Sequence, residues 1–386
     1  MTQRVYASAI SQHPLATHAV GETVGTVLEQ LEGEPPDLLA LFVSPHHVGT
    51  FEDIVMAVQR LLSPGVMIGG TAMAVIGDGV EVETEPAISI WAARLPGAEL
   101  TPLELELHRT ADGPAIVGWP EPGVVDDART LLLFADPFSL PVEALLERIN
   151  EDTRGLTVIG GMASAAHGPG GNRLVIDGRI RTTGAVGVFL GGDLRIQTIV
   201  SQGCRPVGQP LLVTRSEGNL VEELALAPAV DRVRELAAGA TEADLALLRQ
   251  GLHLGVVVDE HQADFGRGDF LVRNVLGADS DRGGITVGDV IEVGRTVQFH
   301  VRDAGAADDD LRVMLAEADP AGAALLFTCT GRGARLFGEP DHDAGLIEDL
   351  LGPFPMAGAF CAGEIGPVGG KSFLHGFTAS LALFPR

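Results

Sequence analysis

Two cysteines and a glutamate hold the most chemistry in this sequence, because each stands where a repeated pattern elsewhere holds a different residue. Cys361 takes the place of Ala72 and Ala163, Cys329 that of Ser44 and Asp136, and Glu364 that of Val75 and Ala166. A thiol acts as nucleophile or redox centre only as thiolate, which needs a nearby base or cation. His375 and His300 are the candidate bases and Arg332 the candidate cation. The same side chains also suit binding, with arginine pairing a carboxylate and Glu364 an ammonium. Cysteine packs as a small hydrophobe as well, so the residues alone leave a catalytic thiol, a ligand contact and a core position open.

A second set is polar. The run GPVGGKS places Gly366, Gly369, Gly370 and Lys371 where backbone N–H groups can line a ligand. It ends like a phosphate-binding loop, but Ile365 stands where that pattern needs glycine and no helix follows. In DFLVRNVLGAD and VQFHVRDA, Arg273, Asn274, His300 and Arg302 interrupt apolar strand residues. Strand alternation turns Gln298, His300 and Arg302 to one face and Val297, Phe299 and Val301 to the other. That polar face is either solvated or a wall of donors for an anionic or zwitterionic ligand. His46–His47 and Asp341-His342-Asp343 lack metal-ligand spacing, and the latter reads as a solvated acidic turn. No metal or cofactor is implied. No catalytic signature such as HExxH or GxSxG occurs, so the reading is binding rather than catalysis.

The elements that must position these residues repeat. Apolar runs open at Leu38 (LLALFVSPHH), Leu131 (LLLFADPFS) and Ala324 (ALLFTCTGRG) and read as buried strands. Helical spacing follows in FEDIVMAVQRLL, PVEALLERI and AGLIEDLL. Equal-length glycine brackets come next, Gly69 to Gly77, Gly160 to Gly168 and Gly358 to Gly366. Each copy closes on PAISIWAARL, GAVGVFL or GFTASLALF, so the unit is strand, helix, strand, strand, with the first two strands parallel neighbours. The expected class is α/β with mixed α+β character: layered sheets flanked by helices, two sheets between helix layers. Residues 192–322 do not repeat, with PAVDRVRELAAG and EADLALLRQGL as helices; the segment from Ala111 reads as a Pro/Gly loop. A boundary near residue 215 divides the chain into 1–215 and 216–386.

Composition narrows the partners. The 386 residues carry 26 basic and 52 acidic side chains, a net charge of -26 that repels nucleic acid and anionic membranes. Three cysteines in no disulfide pattern, no signal sequence and no long apolar run point to the cytoplasm. A mean hydropathy of +0.24 makes a homo-oligomer an expectation to weigh.

VSQGCRPVG, DFLVRNVLGAD, VQFHVRDA, FTCTGRG and FCAGEIGPVGGKSFLHGFTASLALF together resemble the FIST family (F-box and intracellular signal transduction proteins) over nearly the whole chain. The resemblance implies a FIST N-terminal-like domain over 1–215 and a FIST C-terminal-like domain over 216–386. It also implies a sensory module that binds a small ligand such as an amino acid or other small carboxylate. No kinase, methyl-accepting, cyclic-nucleotide or F-box segment fits within 386 residues, so the expectation is a stand-alone sensor that signals to a separate output protein. A thiol-dependent enzyme or redox sensor using Cys361, and an interaction scaffold, are the alternatives.

Overall fold

The computed structural model describes residues 3–386 apart from 112, 122, 126 and 263. The chain forms two compact units. One runs to Val200 and resumes over Arg312–Leu374 and Thr378–Arg386; the other is Ser201–Leu311 with His375–Phe377. These units do not coincide with the contiguous segments 1–215 and 216–386 expected from the sequence, because the third copy of the repeat packs with the first two.

In the first unit every copy has a lead strand, a crossover helix and a second strand. The lead strands are Leu38–Val43, Thr130–Ala135 and Ala321–Cys329, and almost every residue in them is buried. The helices are Phe51–Leu62, Val142–Asp152 and His342–Leu351. The second strands, Val66–Thr71, Thr157–Met162 and Met356–Cys361, pair parallel with their lead strands, as the spacing predicts. Alternate residues of each lead strand face opposite ways. Leu39 and Leu41 meet Val55 and Val58 of their helix, and Leu131 and Leu133 meet Leu145 and Ile149 of theirs. Phe42, Phe134 and Phe327 face a core shared by all three copies. These three rings occupy equivalent repeat positions and meet at centroid distances of 5.7, 6.0 and 6.5 Å.

The opening glycine of each bracket has a steric cause. Gly69, Gly160 and Gly358 lie opposite Leu41, Leu133 and Leu326. A Cβ there would come within 2.0, 1.9 and 1.9 Å of the leucine carbonyl oxygen, so only glycine fits.

After the second strand the fold departs from the expected unit. A hairpin intervenes before the closing strand, and it leaves its own copy. Val75–Gly77 with Val80–Val82 adds to the second strand of the third copy. Glu364–Val368 with Lys371–His375 adds to that of the second copy. Leu174–Ile176 with Arg179–Arg181 adds to that of the first. The exchange closes a ring of three and yields three sheets of six, seven and six strands. The class is mixed α/β as expected, but two sheets between helix layers is corrected to three sheets around one core in this unit. The segment expected as a Pro/Gly loop contains the strand Gly113–Val117, paired with Ala98–Thr110; its positions 112 and 122 lie outside the described residues.

The second unit is one antiparallel sheet whose pairing returns to its start. Cys204–Glu217 pairs with Thr296–Arg302, then follow His253–Val257, Phe270–Asp279, Gly284–Val287 and Leu220–Leu224, and the last pairs back to Cys204–Glu217. Val207, Val221, Leu254, Ile285, Val297 and Phe299 share its core. The two expected helices occupy Ala229–Gly239 and Glu242–Gln250. Among the described residues no helix is long and apolar enough to cross a membrane.

Candidate functional site

Cys329 and Cys361 end the lead and second strands of the third copy and stand directly opposite each other in the parallel register. Glu364 begins the hairpin that follows. The backbone fixes this corner: the Thr330 N–H donates to the Cys361 carbonyl at 3.0 Å and the Arg332 N–H to the Cys329 carbonyl at 2.8 Å. Four sequence candidates, Cys329, Arg332, Cys361 and Glu364, therefore lie together at the carboxyl ends of parallel strands, where open sheets bind ligands.

The cluster is closed to solvent. Arg332, Cys361 and Glu364 are each 0% exposed. Arg332 forks onto Asp343, with Nε donating to Oδ2 and Nη2 to Oδ1, both at 2.7 Å. Burial opposes both charges, but the mutual field prevails and holds the Asp343 carboxyl well below its ordinary range. The Thr328 hydroxyl donates to Asp343 at 2.8 Å. The Arg332 guanidinium lies over Phe337, whose other ring neighbour is His342, stacked at 3.4 Å. The expected solvated turn at Asp341-His342-Asp343 is thus corrected: Asp343 is 0% exposed, because it balances a buried arginine.

Glu81 completes the group and was not legible in the sequence. It arrives on the hairpin from the first copy, where its N–H donates to Asp341 at 2.6 Å and its Oε1 accepts from the Ala344 N–H at 2.9 Å. Desolvation, then the Asp343 charge, push its carboxyl up to about 8. Desolvation also pushes Glu364 up to about 8, although the Thr378 N–H and hydroxyl both donate to its Oε2 and the Cys329 thiol adds a smaller opposing effect. Both carboxyls are therefore protonated at neutral pH. Three buried polar atoms here have no hydrogen-bond partner: Arg332 Nη1, Glu81 Oε2 and Glu364 Oε1.

The setting of Cys361 opposes ionisation of its thiol. Burial pushes the Cys361 thiol up, and the nearby Glu364 and Cys329 push the same way, so thiolate is disfavoured. The thiol donates to the Ala359 carbonyl at 3.5 Å. His375 and His300, the candidate bases, belong to the second unit.

The glycine run is a hairpin. Gly369 and Gly370 take its turn at φ 58° and 80°, Gly366 lies in its first strand beside Val200 and Ser380, and Lys371 opens its second strand with an exposed side chain. Glu364 and Ile365 pair across the sheet with Gly161 and Gly160.

In the second unit, Asn274 and His300 both pair directly with His253 across neighbouring strands. Arg302 follows two residues on, and its guanidinium lies 5.1 Å from the Phe377 ring centre. Arg273 departs from this group and pairs Asp289 at 2.7 Å. The polar face is largely buried, with His253 5% and His300 0% exposed. His253 was missed because one histidine in the apolar run HLGVV carries no signal of its own.

The FIST N domain matches residues 37–225 and the FIST C domain residues 229–367. The chain is 44% identical over 380 residues to an uncharacterized protein of Mycobacterium tuberculosis (strain H37Rv), covering 97% of this chain and 98% of that protein. It is 43% identical over 376 residues to an uncharacterized protein of Mycobacterium bovis, covering 96% of each. With both domains matched in order along one chain, the protein belongs to the FIST family, whose domains are associated with sensory roles in signal transduction.

Proposed function

We propose that this chain is a cytoplasmic sensor that binds a small zwitterion or carboxylate, of the amino-acid class, at the buried cluster of the third copy, and passes its state to a separate protein. The observation that carries this reading is the set of unpartnered buried atoms: Arg332 Nη1 as donor, and Glu364 Oε1 and Glu81 Oε2 beside it in the same electrostatic neighbourhood. A buried polar group without a partner costs about 1–3 kcal/mol, so three in one cluster mark a place where a bound molecule completes the network. A carboxylate suits the arginine and an ammonium suits a carboxyl that ionises on binding. The high thiol pKa of Cys361 weighs against thiol catalysis.

The test is a thermal-shift and calorimetric screen of the whole chain against amino acids and small carboxylates, with Glu364→Gln alongside. A ligand at about 100 times its dissociation constant stabilises the fold by roughly 2.7 kcal/mol. Glu364→Gln keeps the shape and an acceptor for Thr378 but cannot ionise on binding, so it should weaken an amino acid about tenfold or more. Absence of any hit, or equal affinity in the variant, overturns the reading.

A further inference from the structure

We infer that residues 333–341 form a strap over the buried cluster, which opens to admit the ligand and is latched shut by Glu81 and Glu83 of the first copy. The inference rests on the reading of that cluster as a ligand site. Arg332 and Glu364 are 0% exposed and Glu81 5%, so a molecule reaches them only when a covering segment moves aside. The cover over Arg332 is Phe337. Its ring centre lies 5.2 Å from the central guanidinium carbon, and the ring stacks on His342 at 3.4 Å. Phe337 ends the single-turn helix Ala334–Phe337, in which no residue is buried. A helix of four residues has almost no stability of its own. Gly338, Glu339 and Pro340 continue it along the surface, all exposed. Few buried contacts mark a segment that opens at low cost.

Both ends of the strap dock on one short piece of the first copy. The Ala334 N–H donates to the Glu83 carboxylate at 2.7 Å, and the Glu81 N–H donates to the Asp341 carboxylate at 2.6 Å. The backbone at these ends suits a hinge. Gly333 takes φ 64° and ψ −157°, a conformation essentially reserved for glycine. A Cβ there would also come within 2.6 Å of the Glu83 carboxylate, so only glycine lets this end of the latch close. Asp341 holds a left-handed backbone at φ 60°, and Gly338 lies between the two at φ 78°. Residues of this kind at the ends of a short segment absorb the backbone change of an opening. Glu81 serves latch and site at once. Its N–H holds Asp341, while its Oε2 is one of the three unpartnered buried atoms of the cluster. A ligand that engages Glu81 therefore steadies the latch, and occupancy and closure favour each other.

The experiment follows labelling of the full chain by N-ethylmaleimide, with each cysteine resolved by peptide mass spectrometry. Cys329, whose carbonyl accepts from the Arg332 N–H at the root of the strap, reports opening. Cys204, in the second unit and 1% exposed, reports loss of the fold as a whole. Comparing each cysteine with itself in wild type and variant cancels differences in thiol reactivity. Glu83→Ala removes the carboxylate that holds Ala334, and Phe337→Ala removes the cover. Each should speed labelling of Cys329 about tenfold and leave that of Cys204 within about twofold. Unchanged labelling of Cys329 in both variants, or equal acceleration at Cys204, overturns the inference. In the wild-type chain, millimolar glycine, alanine or glutamate should slow Cys329 and leave Cys204 alone. Selective acceleration in the variants without protection by any of these amino acids supports the strap while counting against the amino-acid reading, so the two fail separately.

Discussion

Folding moves the Glu364 carboxyl from water into an apolar corner where its protonated form is preferred, so the folded chain holds a proton that the unfolded chain releases. Its pKa rises from 4.5 to about 8. The unfolded state thus binds fewer protons between these values, and stability is lost as pH rises through that window. Glu81, also raised to about 8, acts with it. The histidines act oppositely: His253 and His300 fall from 6.5 to about 4, so their contribution is lost as pH falls from 6.5 to 4. The melting temperature of Glu364→Gln, measured from pH 5 to 8, should fall less steeply than that of the wild-type chain; parallel slopes would mean the carboxyl is not buried in neutral form. At this scale the sequence was partly legible. Cys329, Cys361 and Glu364 stood out because two other copies of the pattern supplied the comparison. Glu81 did not, since what brings it to the cluster is a hairpin contributed by a different copy, and nothing local in VEVETE announces its destination; Asp343 did not, since the sequence of its acidic turn does not show that it pairs a buried arginine eleven residues before it.

Parallel strand pairs explain which glycines the elements require. A methyl group at position 160 would sit 1.9 Å from the Leu133 carbonyl oxygen, in backbone at φ 146°, and backbone cannot yield as a flexible side chain can. Gly160→Ala should therefore cost about 3 kcal/mol in chemical denaturation. Gly370, at φ 80° with nothing within 4 Å, is the control; its replacement by alanine meets only backbone strain, about 1 kcal/mol. Similar costs at both sites would show that the close approach at Gly160 relaxes. The lead strands, crossover helices and parallel register were legible because long apolar runs and helical spacing extend over many residues. The hairpins were not, because arms such as Val75–Gly77 and Val80–Val82 are three residues each, too short for a period to show.

At the scale of the whole molecule, the exchange of hairpins ties the beginning of the chain to its end. The second strand of the second copy, Thr157–Met162, has the third copy's Glu364–Val368 as an edge partner, and the first copy's Val75–Gly77 pairs with Met356–Cys361. The shared core draws Leu38, Leu132 and Leu325 from three copies that span most of the sequence. A fragment ending at residue 225, where the FIST N domain match ends, keeps two copies but leaves Thr157–Met162 and the hairpin Val75–Val82 without their third-copy partners, Cys204–Glu217 and Leu220–Leu224 without the strands Thr296–Arg302 and Gly284–Val287, and Phe42 and Phe134 without Phe327. Unpaired edges of this kind promote association rather than folding. That fragment should lack a cooperative thermal transition and elute as aggregates, whereas the full chain melts cooperatively. Because these partners all lie beyond residue 225, adding residues 226–386 as a separate polypeptide should restore folding by supplying them at once. A monomeric, cooperatively melting 1–225 fragment would show instead that two copies suffice, and that the third is docked onto a domain already complete.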